Sequence, residues 1–190
     1  SDVKDLKKEF EEIDAYCKQK GIDWFCSPWD ENSVDFLEEF NPICYKVASA
    51  SLTDNNLLKK MADTKRPIIL STGMSTLEEI DQAVSILSNS PLIILHCTST
   101  YPSNHEELNL SVIETFKERF SHPIGYSGHE TDIIPSVMAA VGFGACVIER
   151  HITLDRAMWG SDQAASLEPR GMELMVKYIR QWPSVKGDGK

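Results

Sequence analysis

The chain has 190 residues, 42% of them hydrophobic, enough to bury one sizeable core, so a single domain is expected. Its 29 acidic residues against 19 lysines and arginines leave a net charge of −10. That balance speaks against nucleic acid or an anionic membrane as the main partner, while a few lysines or a metal can still hold a small anion.

The longest apolar runs, such as Pro91 to Leu95, are far too short to cross a bilayer, and no signal-peptide pattern opens the chain. The five cysteines (17, 26, 44, 97 and 146) are scattered, odd in number and without a CxxC pair. They read as free thiols in a reducing cytoplasm. The start at Ser1-Asp2, with no Met and a helix directly after it, reads as a cut.

In chain order, Val3, Leu6, Phe10, Ile13 and Cys17 form one apolar stripe of a surface helix over residues 2–20, ended by Gly21. Six short apolar runs follow: Asp23 to Cys26, Cys44 to Val47, Pro67 to Leu70, Leu92 to Leu95, Pro123 to Tyr126 and Ala145 to Ile148. Uninterrupted runs suit parallel strands buried on both faces, and their spacing of roughly 20 to 30 residues gives room for helical crossovers. Ser75-Thr76-Leu77-Glu78 reads as a capping box before Ile80, Val84 and Leu87. Ile113, Phe116 and Phe120 share a later helix face, and Pro135 suits a first helical turn. Met172, Met175, Ile179 and Trp182 line one side of the final segment, and Lys186-Gly187-Asp188-Gly189 reads as the start of a linker.

A helix followed by six strand–helix units predicts a parallel α/β sheet. A (β/α)8 TIM barrel needs eight strands, so six fit a partial barrel with its helices outside; an open doubly wound sheet is the competing architecture.

Each expected strand ends in polar residues: Ser27; Lys46 and Ser49; Ser71-Thr72-Gly73; His96 through Tyr101; Ser127 and His129; Glu149 and His151. In a parallel fold these ends converge on one mouth, where hydroxyls, amides and a lysine suit a phosphate or carboxylate. Ser127 and His129 share a face, as do Glu149 and His151, because strand side chains repeat every two residues. On neighbouring strands about 4.8 Å apart, both imidazoles can reach one divalent ion. Two histidines taken blindly are more often structural, and Lys46 is open to three readings: a solvent-seeking stem, a phosphate clamp or a Schiff-base amine. His96, after four apolar residues, reads as a satisfied core histidine; His105 and His122 receive no role; Trp24, Trp29 and Tyr45 read as packing residues.

Together the blocks Tyr45-Lys46-Val47-Ala48-Ser49, Pro67 through Met74, His96 through Pro102, Gly125-Tyr126-Ser127-Gly128-His129, Glu149 through Asp155 and Gly160 through Pro169 resemble those of the sialic acid (N-acetylneuraminate) synthases. The resemblance runs from about residue 22 to about 180 and keeps the family's order. It implies the catalytic TIM barrel of a cytoplasmic transferase that condenses phosphoenolpyruvate with N-acetylmannosamine or a close N-acyl sugar and releases phosphate, a homodimer when full length. It implies His129 and His151 as ligands of Mn²⁺, or Mg²⁺. Ser27, Lys46, Ser49, Ser71, Ser99 and Ser127 correspond to groups holding phosphoenolpyruvate, Ser99 standing where some members carry Asn. Tyr101 and Asp162 match positions facing the reacting centre and the sugar.

Two departures bear on activity. Ser51 stands where many members have an acid. The family's first two strands and its C-terminal antifreeze-like domain have no counterpart, so residues 1–182 read as the central and C-terminal part of the barrel and 183–190 as the start of a linker. An isolated piece of this kind is expected not to turn over. A chain that binds ligand or partner without catalysis, and a Schiff-base aldolase using Lys46, are the other readings.

Overall fold

The computed structural model describes residues 3–189, with only the backbone of Val3 and Lys4; Ser1, Asp2 and the Val3 side chain of the expected stripe lie outside the described residues. Helix α1 (Val3–Lys20) stops at Gly21, whose φ of +65° suits a residue without Cβ. It packs through Phe10, whose ring meets Trp24, Phe36 and Phe40 at centroid distances of 5.8, 5.2 and 5.7 Å.

Beyond α2 (Glu31–Glu38), capped by the Asp30 carboxylate, strands and helices alternate. They are β1 (Tyr45–Val47), α3 (Asn55–Asp63), β2 (Ile68–Ser71), α4 (Leu77–Ile86), β3 (Leu92–Cys97), α5 (Val112–Arg119), β4 (Ile124–Gly128), α6 (Ile134–Val141), β5 (Ile148–Arg150) and α7 (Pro169–Lys186). The five strands pair in parallel in chain order, a half-barrel curled inside its helices. The architecture is the expected partial barrel, but with five strands rather than six. The run at Asp23 to Cys26 is extended without being a strand. It gives β1 a single ladder-like bond, Lys46 N–H to the Cys26 carbonyl, at 3.2 Å.

Alternation along the strands separates two environments. Tyr45, Val47, Ile68, Leu70, Leu92, Ile94, Ile124 and Tyr126 face the helices and form the dry core with Leu57, Leu58, Met61, Ile80 and Ile113. Burying each aliphatic side chain of this set contributes roughly 1.5–3 kcal/mol. Lys46, Ser71, Cys97, Ser127 and Glu149 occupy the opposite parity and face the concave side. His96 has core parity: its Nε2 lies 2.6 Å from the Leu108 carbonyl, and its ring abuts Phe116 and Tyr126, the satisfied histidine expected.

Three local expectations shift. The capping box is Thr76 with Glu79, one residue along from the expected pair. The last strand begins at Ile148 rather than Ala145, although Cys146 N–H and the Val147 carbonyl already bond to β4. Helix α7 continues through Pro183 to Lys186, past the expected boundary at 182, and ends at Gly187. Among the described residues, no helix is long and apolar enough to cross a membrane.

Candidate active site

The C-terminal ends of the strands surround a cavity of about 540 Å³. Every residue singled out from sequence lines it: Ser27, Lys46, Ser49, Ser71, Ser99, Tyr101, Ser127, His129, His151 and Asp162. Ser27 reaches it although its segment is not a strand, because that segment keeps the alternation of its neighbours: Trp24 and Cys26 pack toward the core.

Lys46 is buried at the floor. Its ammonium donates to Ser71 Oγ at 2.8 Å and to the Val47 carbonyl at 3.2 Å, with Glu149 Oε1 3.6 Å away. Two of its three N–H donors thus have hydrogen-bond acceptors, and a carboxylate lies within ion-pair distance. Ser127 Oγ donates to the same Glu149 oxygen at 2.8 Å. That contact follows from register, since Ser127 lies opposite Glu149 across β4 and β5. Higher on the wall, Gly73 N–H donates to Ser49 Oγ at 2.9 Å. A Cβ on Gly73 would lie 2.0 Å from Ser99 Oγ, so glycine lets this backbone approach the two serines without displacing them.

The same register carries His129 and His151 past the strand ends together, their ring centroids 5.2 Å apart. His129 Nδ1 lies 2.7 Å from the Thr98 carbonyl, which can only accept, so Nδ1 carries a proton and Nε2 is the nitrogen left for the cavity. Burial works against the protonated form of His129, but the Cys97 sulfur, the Thr98 carbonyl and Glu149 outweigh it and raise its pKa. His151 moves the other way: burial and then the charge of His129 lower it, against Asp162 and Glu149. Asp162 Oδ2 lies 3.8 Å from His151 Nδ1. Tyr101 lies over His129 at 4.1 Å and edge-on to His151 at 5.7 Å. Burial, then the negative charge of Cys97, Asp162 and Glu149, pushes its hydroxyl up to about 12, so at neutral pH it remains a donor.

Two imidazoles with one fixed by a carbonyl, and a carboxylate near the other, suit a divalent ion whose remaining positions stay open. Among the described residues no three His, Cys, Asp or Glu side chains form a closed ligand set.

The sequence reading missed Cys97, Trp29, Met74, Arg150 and the role of Glu149, all of which line the cavity. Cys97 lies 3.9 Å from His129 Nδ1 and shares the parity of Ser99, and Glu149 that of His151, so spacing alone could have found both. Trp29, expected to pack, is exposed at the mouth, whereas Trp24 and Tyr45 do pack in the interior.

Residues 3–190 match the NeuB family. The chain belongs to that family. Among its relatives are an uncharacterized protein of Methanocaldococcus jannaschii, 42% identical over 97% of this chain and 55% of its own, and the N,N'-diacetyllegionaminic acid synthase of Campylobacter jejuni, 40% identical over 96% and 56%. N-acetylneuraminate-9-phosphate and pseudaminic acid synthases also match. The N-acetylneuraminic acid synthetase of Leptospira borgpetersenii, solved with citrate, superposes with a TM-score of 0.91 at 38% identity, over 97% of this chain and 65% of that one. The chain thus spans about half the length of the curated relatives it matches, and its NeuB relatives are sugar acid synthases.

Proposed function

We propose that this NeuB chain carries the phosphoenolpyruvate and metal sites of a sugar acid synthase that joins phosphoenolpyruvate to N-acetylmannosamine or a close N-acyl sugar aldehyde. The observation that supports it most is one cavity holding both a lysine–hydroxyl cradle and an imidazole pair 5.2 Å apart. His129 and His151 would hold Mn²⁺ or Mg²⁺, which supplies charge to polarise the sugar's aldehyde oxygen.

The chain's own groups position and neutralise. Lys46, with Ser71, Ser127, Ser49, Ser99 and Ser27, binds the phosphate and carboxylate of phosphoenolpyruvate and aims its C3 at the aldehyde carbon. Tyr101 and Asp162 border the sugar end, where the Tyr101 hydroxyl can donate to the oxygen that gains charge. A C–C bond forms between C3 and the aldehyde carbon, water adds at C2, and phosphate leaves with C–O cleavage. Glu149 borders that path beside Ser127 and is the carboxylate available to take the water's proton, which answers the serine at position 51.

The test is phosphate release by a full-length synthase carrying this chain, with both substrates and Mn²⁺. Release should need both substrates and stop on metal removal by EDTA; full turnover by the metal-free protein would refute the histidine assignment. The second reading, binding without turnover, is favoured by Ser51. It predicts calorimetric binding of phosphoenolpyruvate with no phosphate released. The cytoplasm and a homodimer remain the proposed setting. A Schiff base on Lys46 is disfavoured by the hydrogen bonds that tie its nitrogen to Ser71 and the Val47 carbonyl.

A further inference from the structure

His129 and His151 each lie one residue beyond the paired part of their strands, β4 ending at Gly128 and β5 at Arg150. The strand ladder brings them level, since Gly128 pairs with Arg150, but it stops one residue short of holding them. Their chain neighbours Glu130 and Arg150 form an ion pair of 3.0 Å, both side chains fully buried.

Arg150 holds more than the carboxylate. Its Nη1 also donates to the Asp132 carbonyl at 2.9 Å and Ser136 Oγ at 3.1 Å. Its Nη2 donates to the backbone carbonyl of Glu130 itself, the residue after His129, and reaches the Ala165 carbonyl at 3.5 Å. Glu130 in turn accepts from the Tyr126 hydroxyl and Ser136 Oγ, each at 2.9 Å. One guanidinium thus ties the end of β5 to the end of β4, the start of α6 and the short helical turn at Gln163–Ala165 that follows Asp162.

Stability is a poor reason for this arrangement. A buried ion pair is commonly no better than a well-packed apolar pair of the same volume, and here Arg150 Nε is buried without a partner. What an apolar pair cannot do is hold four backbone and side-chain acceptors at fixed directions.

We infer that Glu130 and Arg150 are positioning residues whose buried pair fixes the separation of His129 and His151, and through Ala165 the loop that carries Asp162. The inference rests on the proposed reading of the two imidazoles as holders of a divalent ion. Outer partners of metal ligands typically govern metal affinity by 10–100-fold.

The experiment is titration of the protein with Mn²⁺ followed by electron paramagnetic resonance of the free ion, which needs no turnover, with thermal unfolding alongside. The double variant Glu130→Leu/Arg150→Met should fold with a Tm near or above that of the parent and bind Mn²⁺ about 10–100-fold more weakly. Arg150→Lys keeps the charge but loses the fork and should show the same loss. A folded variant of either kind that binds Mn²⁺ as the parent does overturns the inference. If both fail to fold, Tyr126→Phe decides, because it removes one donor from Glu130 and nothing else; a few-fold weakening supports the inference and unchanged affinity overturns it. His129→Ala and His151→Ala separate the two levels. If the parent binds no Mn²⁺, or binding survives both, the metal reading falls and takes this inference with it.

Discussion

Replacing Lys46 by Met keeps the apolar stem and removes the ammonium at the floor of the cavity. The cost to the fold is confined to one buried hydroxyl and one carbonyl. Ser71 Oγ and the Val47 carbonyl each lose one donor, and the Glu149 side chain, 34% exposed, keeps Ser127 and water. The fold should survive. For an anionic ligand the loss is large. A hydrogen bond to a charged group is worth about 1.5–3 kcal/mol, and a unit charge at 4 Å near a protein surface about 4 kcal/mol. Glu149, no longer offset, adds repulsion. A loss of about 2–4 kcal/mol corresponds to roughly 30- to 1000-fold weaker phosphoenolpyruvate binding. Isothermal calorimetry at fixed Mn²⁺ reads it directly, and the loss should persist in added salt because Lys46 is only 7% exposed. Binding by Lys46→Met within three-fold of the parent would refute the assignment of Lys46 to the anion.

Gly73→Ala places a methyl 2.0 Å from Ser99 Oγ and 2.9 Å from Ser49 Oγ. The overpacking cost of about 1–3 kcal/mol should lower Tm by roughly 2–12 °C and weaken phosphoenolpyruvate binding; an unchanged Tm and affinity would show that the serines move freely. Borohydride added with a keto substrate should leave no adduct on Lys46, and a mass increase at that residue would reinstate the Schiff-base aldolase. The Arg66 guanidinium, against a smaller effect of burial and helped by the Tyr45 hydroxyl, holds Glu38 below the ordinary 4.5 of a glutamate. A carboxyl lowered on folding adds stability that is fully present above its unfolded pKa and is lost as pH falls through the folded one. Urea unfolding of Glu38→Gln should therefore show lower stability at pH 7 and a flatter decline below about pH 4.5 than the parent; parallel acid limbs would remove Glu38 from the account.

The site was largely legible because two-residue alternation can be counted without coordinates. Ser127 with His129 and Glu149 with His151 share a face in the sequence and in the structure, and their register brings the pairs together. Strand identity was less legible, since a strand depends on its neighbour. The run at Asp23 to Cys26 has the composition and alternation of a strand but shares one bond with β1. The capping box slipped by one because Ser75-Thr76 and Glu78-Glu79 offer two overlapping boxes, and only the backbone turn selects between them. Glu130 drew no notice, because an acid after a strand looks like any solvated surface residue; its burial comes from α6 and the turn at Gln163–Ala165 folding over it. Trp29 was misread because an aromatic beside a strand usually packs, and here it stands exposed two residues before α2.

The cradle around Lys46 is satisfied before any ligand arrives. Ser127 donates to Glu149, Glu149 faces Lys46, and Lys46 donates to Ser71, so no buried charge or hydroxyl in that chain waits unpaired. An isolated ammonium at the same depth would carry a heavy desolvation cost. The contacts are not equal, however. Lys46 to Ser71 is a true hydrogen bond at 2.8 Å, whereas Lys46 to Glu149 is 3.6 Å, within reach of charge attraction but beyond a good hydrogen bond. Glu149 is also the more exposed partner. An incoming phosphate or carboxylate can therefore displace the weaker contact and keep the stronger, exchanging one anion for another at Lys46. Under the proposed reading Ser71 would hold the ammonium in place throughout, while Glu149 keeps its bond from Ser127.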